Sequence, residues 1–483
     1  MTIEEFDVAV VGAGAAGLSA AKEAANLGAR VALIDDNRQP GGQYFRQPPG
    51  SFQLSPAAKR NKDRQRFETL CASIDTPLIS YRPGATVWDV PDPLTLAITD
   101  GARSGRIRAR AIVMATGARD RTVAFPGWTL PGVMTAGGVQ NLIKGMNIAP
   151  PGPVVVAGNG PLLLVAAANL VRAGVRVAAV VEAANQPMRV VYEMANLARA
   201  PLILRLAAKY RIALLRAGTP VYRGQTVVAA HGDPSLSSLE IAAIDNAGKI
   251  DHSRRRQIDA QTLVVGFGLT PSLELAHLMG AKKEHMPLRG GTTLVRDGRL
   301  MTSVPGVFAA GDGATIGGVE LSLTEGRIAG IEATVHAGIA GRGDVQTALS
   351  RYLRAHRRLC RFRAGLERVF ETNANWLDLL TPETVICRCE DVTLSELDLH
   401  RAHGSTSPLQ LKAATRIGMG RCQGRNCLGT LAALASAHQG VPESSVTMPR
   451  ARQPARPILL GDLLHEDLPA PDLPDDPHLP RRR

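Results

Sequence analysis

The chain has 483 residues, too many for one ordinary domain, so two or three are expected. Apolar residues make up 45%, aromatics only 4%, and there are 48 glycines. That balance favours tight strand–turn–helix packing over an aromatic-rich β-sandwich. The formal net charge of +13 sits largely in three arginine clusters: Arg254-Arg255-Arg256, the stretch from Arg351 to Arg363, and Arg481-Arg482-Arg483. No aromatic interleaving or binding module accompanies them, so nucleic acid is set aside in favour of solvated faces or a docking surface for acidic partners.

The acidic start, Met1-Thr2-Ile3-Glu4-Glu5, reads as no targeting segment. A long apolar stretch, Leu162 to Val171, is interrupted by Asn169 and is far shorter than the roughly 18–20 residues needed to span a bilayer. Asp7 to Val11 then predicts a short buried strand, followed by Gly12-Ala-Gly-Ala-Ala-Gly17 and an alanine-rich helix to about Leu27. Arg30 to Ile34 predicts the next strand, ending at Asp35. This is a βαβ unit with the glycine fingerprint in its proper context. Gly12 permits the tight turn, Gly14 lets a pyrophosphate approach the backbone at Ala15, and Gly17 lets the helix pack closely on the strand. The helix N-terminus offers free N–H groups to phosphates, and Asp35 can accept from ribose hydroxyls.

Three further pieces join the fingerprint. Pro40-Gly41-Gly42-Gln43 places a turn, Gly42 and Gln43, where it can pass under a flavin. Thr116 and Gly117 end a strand from Ala111 to Met114. Gly311-Asp312 ends the stretch that begins at Val304, with a helix expected near Glu320. An Asp at that place can bind the sugar-alcohol chain of FAD, and the helix dipole can stabilise a reduced flavin ring.

A second βαβ unit begins at Val154, with the turn Gly158-Asn-Gly160, a helix to Arg172, a strand from Val175 to Val181, and Glu182. Leu163 stands where the third glycine belongs and should push the helix off the strand. Glu182 is placed for ribose hydroxyls, and no arginine pair follows it, so a bound pyridine nucleotide would be NAD(H). Whether this site turns over NAD(H), is empty or holds another adenine nucleotide stays open.

Beyond a basic helical stretch, Leu349 to about Phe370, come Cys387-Arg388-Cys389 and Cys422-Gln423-Gly424-Arg425-Asn426-Cys427, four of the chain's six cysteines. Disulfides suit secretion, which nothing here supports. Zinc prefers Cys-x-x-Cys knuckles. A [2Fe–2S] cluster takes four thiolates, two per iron, and suits these residues best. Gly418, Gly420 and Gly424 can expose amides to the sulfurs, and Arg388, Arg421 and Arg425 add positive charge. A capping box, Thr393-Leu-Ser-Glu396, predicts a helix between the pairs, and another helix starts at Leu428. Cys71 and Cys360 are single and read as structural thiols. His252, His285 and His356 read as surface or packing residues, and no catalytic acid or base is identified.

The expected fold class is α/β: a two-dinucleotide-binding, Rossmann-like flavoprotein fold with a small, mostly helical C-terminal [2Fe–2S] domain. The expected division is residues 1–148 for the first part of an FAD-binding domain, 149–285 for an NAD-like domain and 286–345 for the return of the first. A connector at 346–380 and the [2Fe–2S] domain at 381–440 follow. A Pro/Arg-rich tail at 441–483 is pinned by Ile458-Leu-Leu460.

Residues 5–340 resemble the two-dinucleotide FAD-dependent pyridine-nucleotide oxidoreductases, without the redox-active cysteine pair of the disulfide reductases among them. The cysteine segment resembles the bacterioferritin-associated-ferredoxin-like domain. Gly42-Gln43, Leu130-Pro-Gly-Val-Met134, Gly266-Phe-Gly-Leu-Thr-Pro271, Arg388 to Thr393 and Lys412 to Cys427 carry a resemblance over nearly the whole chain. It is to the larger flavoprotein subunits of opine oxidases, hydrogen cyanide synthase and D-hydroxyproline dehydrogenases.

That resemblance implies a partner subunit of the FAD-containing D-amino-acid-oxidase type, where a carbon–nitrogen bond is oxidised to an imine. It also implies a small ferredoxin-like subunit, FMN at a subunit interface, and electrons leaving to a quinone or dye. The expected place is the cytoplasm, with peripheral contact at the inner membrane face. The competing readings are a self-contained NADH-dependent reductase and a non-enzymatic redox sensor or scaffold.

Overall fold

The computed structural model describes residues 3–49, 51–52, 62–185 and 187–461. The terminal arginines and the Pro-rich stretch beyond 461 lie outside the described residues. The chain forms two compact units, each built from separated stretches. One contains the residues up to Arg119, Thr270–Arg361 and the chain from Arg450; the other contains Asp120–Leu269 and Phe362–Pro449.

The first unit is organised by a sheet in the order Ile79–Pro83, Val31–Asp35, Ile3–Val11, Ser104–Met114, Thr95–Thr99 and Thr86–Asp92. Val307–Ala309 also pairs with Ser104–Met114. The central strands are parallel and in matched register: Val11 stands beside both Ile34 and Met114, and Ala309 beside Met114. Their carboxyl ends therefore finish together, which delivers Gly12, Asp35, Ala115 and Gly311 to one sheet edge, where α/β folds bind ligands. The strands are apolar on both faces because both are covered: helices lie on one, and Val87 and Val90 with Leu275, Met279 and Leu294 lie on the other.

Two helices on one face, Ala15–Asn26 and Val319–His336, cross with their backbones nearly touching. A β-carbon on Gly326 would overlap the Ala16 carbonyl, and one on Gly330 the Ala20 carbonyl. Behind the second helix lies a buried ion network. Arg296 donates to Glu325 at 2.8 Å, His356 of the long helix Arg342–Val369 meets it at 3.1 Å, and the Gly311 N–H donates to it at 2.8 Å. Burial penalises the Glu325 charge, but Arg296 and His356 outweigh it and hold the carboxyl down at about 2. Burial likewise opposes the His356 charge, yet Cys360 and Glu325 raise it to about 9.

The second unit carries a parallel sheet in the order Val221–Arg223, Val177–Glu182, Val154–Gly158, Thr262–Gly266 and Val133–Thr135. A three-stranded antiparallel sheet, Gln225–Gly232, Leu236–Ala243 and Arg256–Asp259, adjoins its core. Val133–Thr135 pairs with Thr262–Gly266, and the helix Ala136–Gly145 packs on Pro161–Arg172. For that reason residues 120–148 fold with the second unit, and residues 270–285 with the first, unlike the expected division.

The cysteine segment forms two short strands, Val385–Cys387 and Val392–Thr393, and three helices, Leu394–Ala402, Pro408–Thr415 and Leu428–Gln439. Thr393 caps the first helix by accepting from the Glu396 N–H, while the reciprocal box occurs instead at Ser407 and Gln410. Ile386, Val392, Leu397, Leu411, Ile417 and Leu431 join Val155, Val228 and Leu239 in one continuous core. The Trp128 indole N–H donates to the Val385 carbonyl at 2.7 Å, tying the first cysteine strand to that core. The expected anchor of the tail is different: Leu459 and Leu460 are exposed, and the Ala455 N–H instead donates to the Trp88 carbonyl at 2.7 Å.

The first unit supports two predictions. Gly330→Leu forces the crossed helices apart and should cost several kcal/mol, on the order of 3 or more, read as a large fall in melting temperature. His356 is raised from 6.5 to about 9, so its contribution is complete below about pH 6.5 and is lost as pH rises through 9. At most it is worth on the order of 3 kcal/mol. Melting temperature should therefore fall across that window and His356→Gln should flatten the fall; parallel slopes in both proteins would contradict the assignment.

Candidate functional site: a flavin cradle and a four-thiol cluster

The fingerprint turn depends on atoms that are not there. Gly12 has φ +104°, and a β-carbon on it would overlap the Ala115 carbonyl. A β-carbon on Gly17 would overlap the Gly12 carbonyl. Strand, turn and helix thus meet backbone to backbone, and Gly14 is the N-cap that leaves the first N–H groups of Ala15–Asn26 without a side-chain cap.

Asp35 is buried and accepts from the Ala13 N–H and from Asn37, through its backbone N–H at 2.7 Å and side chain at 2.9 Å. Desolvation pushes its carboxyl above the ordinary value. The Gly41 N–H donates to the Ala13 carbonyl at 2.8 Å, and Gly42, at φ +58°, lies so close to Gly14 that a β-carbon would sit 2.9 Å from its Cα. The Gly41–Gly42 turn is therefore laid directly over the fingerprint, with Gln43 exposed beside it.

Thr116 donates to the Ser272 carbonyl at 2.8 Å, and the Ser272 N–H donates to the Gly117 carbonyl at 3.0 Å. Gly313 abuts Thr116 and Gly117 so closely that a β-carbon would lie 2.7 Å from the Gly117 nitrogen. Asp312 accepts from the N–H groups of Gly317 and Gly318 at 2.8 and 2.9 Å, shaping the loop before the helix Val319–His336. Every flavin-motif residue expected from the sequence thus converges on one edge of one unit. Glu325, which fixes the Gly311 N–H from beneath, was not legible as part of it. It lies within a helix as one acid among many, with no spacing signal.

In the second unit Gly158 and Gly160 adopt φ +139° and +105°. Leu163 does not push its helix away. It is buried against Gly266, where a β-carbon would lie 2.9 Å from its Cδ2. The glycine missing from the helix is supplied by the neighbouring strand. Glu182 is raised to about 7 by burial, partly offset by Arg223, whose guanidinium stands 3.9 Å away on the adjacent strand. Arg223 had no sequence signal, because strand pairing brings it to Glu182. The Asn159 side chain donates to the Phe370 carbonyl at 2.7 Å, so the connector runs beside the turn that would face a pyrophosphate.

Cysteine thiols meet across the two motifs: Cys389 beside Cys422, and Cys427 beside Cys387. Cys387 and Cys427 are buried. Desolvation raises Cys427 and Cys389. It opposes ionisation of Cys422 too, but the Asn426 N–H, the Cys389 thiol and the Gly424 and Arg425 N–H groups bring that thiol below its ordinary value. A β-carbon on Gly420 would overlap Cys389, and Gln423 and Gly424 have positive φ in the turn whose following amides meet the Cys422 thiol. Cys427 is the N-cap of Leu428–Gln439, at the positive end of that helix. Among the described residues no three His, Cys, Asp or Glu side chains form a site for a single metal ion.

Residues 6–340 match the pyridine nucleotide-disulphide oxidoreductase family. The chain belongs to that family. It is a flavoprotein oxidoreductase of the FAD-binding kind, with no cysteine pair in its flavin motifs; Cys71 and Cys360 are free thiols, and burial pushes Cys71 to about 12. An opine oxidase subunit from Agrobacterium tumefaciens (strain Ach5) is 33% identical over 480 residues, 95% of this chain and 92% of that protein. Hydrogen cyanide synthase subunit HcnB of Pseudomonas aeruginosa is 34% identical over 430 residues, covering 87% and 90%. Among solved structures, L-proline dehydrogenase from P. horikoshii superposes with a TM-score of 0.68 at 21% identity, over 96% of this chain and 80% of that one. No helix among the described residues is long and apolar enough to cross a membrane.

Gly42→Val should lower FAD affinity by roughly tenfold or more, since about 1.4 kcal/mol suffices. The ratio of flavin to protein absorbance after gel filtration reads this directly. Gly298→Ala, where a β-carbon meets nothing within 4 Å, should leave that ratio unchanged.

Proposed function

We propose that this chain is the flavin and iron–sulfur electron-transfer subunit of a heteromeric amino-acid or opine dehydrogenase. The observation that carries the reading is the meeting of four thiols in two pairs, on a chain whose flavin cradle lacks a dithiol. Two thiolates per iron is the ligand count of a [2Fe–2S] cluster, and the amides and helix terminus around Cys422 and Cys427 suit an anionic group. Bound FAD would accept an electron pair, and a bound cluster would relay electrons singly.

The chain's own residues supply binding and orientation. With FAD bound, the amides after Gly14 would hold the pyrophosphate, Asp35 the ribose, the Gly42–Gln43 turn and Thr116–Gly117 the ring, and Asp312 the sugar-alcohol chain. Cys387, Cys389, Cys422 and Cys427 hold the cluster. The relatives are named as subunits, which supports a partner of the FAD-containing D-amino-acid-oxidase type as the place where the carbon–nitrogen bond is oxidised to an imine. An FMN at a subunit interface and a small ferredoxin-like subunit complete the path to a quinone or another acceptor. The complex then works in the cytoplasm and meets the inner membrane face at its periphery, where quinone is found.

The second nucleotide fold fits poorly with NADH turnover, because the connector at Phe370 borders its turn and Arg223 stands beside Glu182. Two measurements test the proposal. Cys387→Ser and Cys422→Ser should abolish the cluster's visible and electron paramagnetic resonance signals while FAD is retained; a colourless parent protein with stoichiometric zinc would refute the cluster. Mixed anaerobically with NADH, the parent chain should keep its flavin colour. Rapid bleaching would replace this reading with an NADH-dependent reductase, and absence of dye-linked turnover with its co-encoded partners would favour a redox sensor or scaffold.

A further inference from the structure

Large apolar side chains are concentrated on one solvent-facing stretch of the second unit. Within the helices Pro187–Tyr192, Met194–Leu197 and Pro201–Arg216, Met188, Val191, Tyr192, Leu202, Ile212 and Leu215 are exposed, Tyr192 to 77%, Leu202 to 75% and Leu215 to 69%. In a soluble domain such a concentration marks an interaction surface. The helix Pro201–Arg216 shows why this is a face and not fraying. Its inner side is already used: Ile203 and Leu204 pack against the cluster of Leu197, Ala200 and Phe362, Leu214 is buried, and Tyr210 lies under Arg172. At 3.6 residues per turn, Ile212, Arg205, Arg216, Lys209 and Leu202 run across the opposite arc, with Leu215 and Leu206 at its two edges.

Charge selects the occupant. Residues 187–216 hold Arg189, Arg199, Arg205, Lys209, Arg211 and Arg216 against a single carboxylate, Glu193, which is paired with Arg368. The helix Pro201–Arg216 contains no acid at all. Two copies of this face would repel each other. A bilayer-seated face is ordinarily rich in Trp, Phe and Lys; this one has no Trp or Phe and only one Lys. Its Met, Tyr and Arg are instead the residues enriched in protein interfaces, and Arg pairs in a planar fork with carboxylates.

We infer that the exposed face of Pro187–Arg216 is the docking surface for the partner subunit, which presents Asp and Glu flanked by apolar side chains. The inference rests on the heteromer reading above and says which face the partner covers. Arg205, Lys209 and Arg216 steer association and fix the register. Leu202 and Ile212 supply the apolar contact beside them.

The test uses the full chain co-expressed with its co-encoded FAD-containing subunit, with complex formation followed by size-exclusion chromatography and mass photometry. L202E/I212E should melt and bind FAD like the parent, because these side chains already face water, yet weaken the complex at least about a hundredfold. R205E/K209E/R216E should slow association and abolish its salt dependence. If the apolar double variant assembles with parental affinity, the face is wrong while the heteromer reading stands. If the parent chain forms no complex at all, both fall. Flotation with phosphatidylglycerol vesicles is the control: parental binding that the double variant loses, with the complex intact, would overturn the inference in favour of a lipid surface.

Discussion

Close approach of one backbone to another is the constraint on which the flavin half of this protein depends. Gly12 lies against Ala115, Gly17 against Gly12, Gly42 against Gly14, and Gly326 and Gly330 against Ala16 and Ala20. Each contact has no room for a side chain, and together they bring separate strand ends and two helices within reach of one ligand. The cost is conformational: the turns at Gly12, Gly41 and Gly42 need positive φ, which other residues adopt only with strain. Matched register of the parallel strands does the rest, because it ends three neighbours at one level and lets the return segment at Gly311 join them.

The same constraint explains what the sequence revealed and what it withheld. Glycine turns after apolar strands are local signals, so the close-packed turns at Gly12 to Gly17, Gly42 and Gly311-Asp312 were legible, as were both βαβ units and the helices of the cysteine segment. Interactions created by strand pairing or helix packing left no such trace. Arg223 reaches Glu182 only because their strands are neighbours. Gly266 makes room for Leu163 from another strand, so a substitution that looked disruptive along the chain is accommodated across it. Glu325 could not be told from a surface acid until Arg296, His356 and the Gly311 N–H were seen around it.

The cysteine motifs show the limit in another way. Their spacing indicated a small helical module, and the helices are there. Composition could not show that the module has no core of its own. Its apolar residues complete the core of the second nucleotide fold, with Trp128 and Thr122 bonded to Val385 and Asn426. The thiols are therefore held by a wall of the nucleotide domain, so changes in that domain's sheet packing reach Cys387 and Cys427 through shared side chains.

The interrupted make-up of the two units has a consequence for synthesis. The first unit lacks the strand Val307–Ala309 and the helix Val319–His336 until the ribosome has passed them, and the second lacks the cover of Ile386, Leu397 and Leu431 until later still. For much of translation both sheets carry apolar faces with nothing yet to seal them. A nascent chain of this kind is a natural client for holding chaperones, and message truncated before Cys387 would yield a sticky fragment in place of a smaller enzyme.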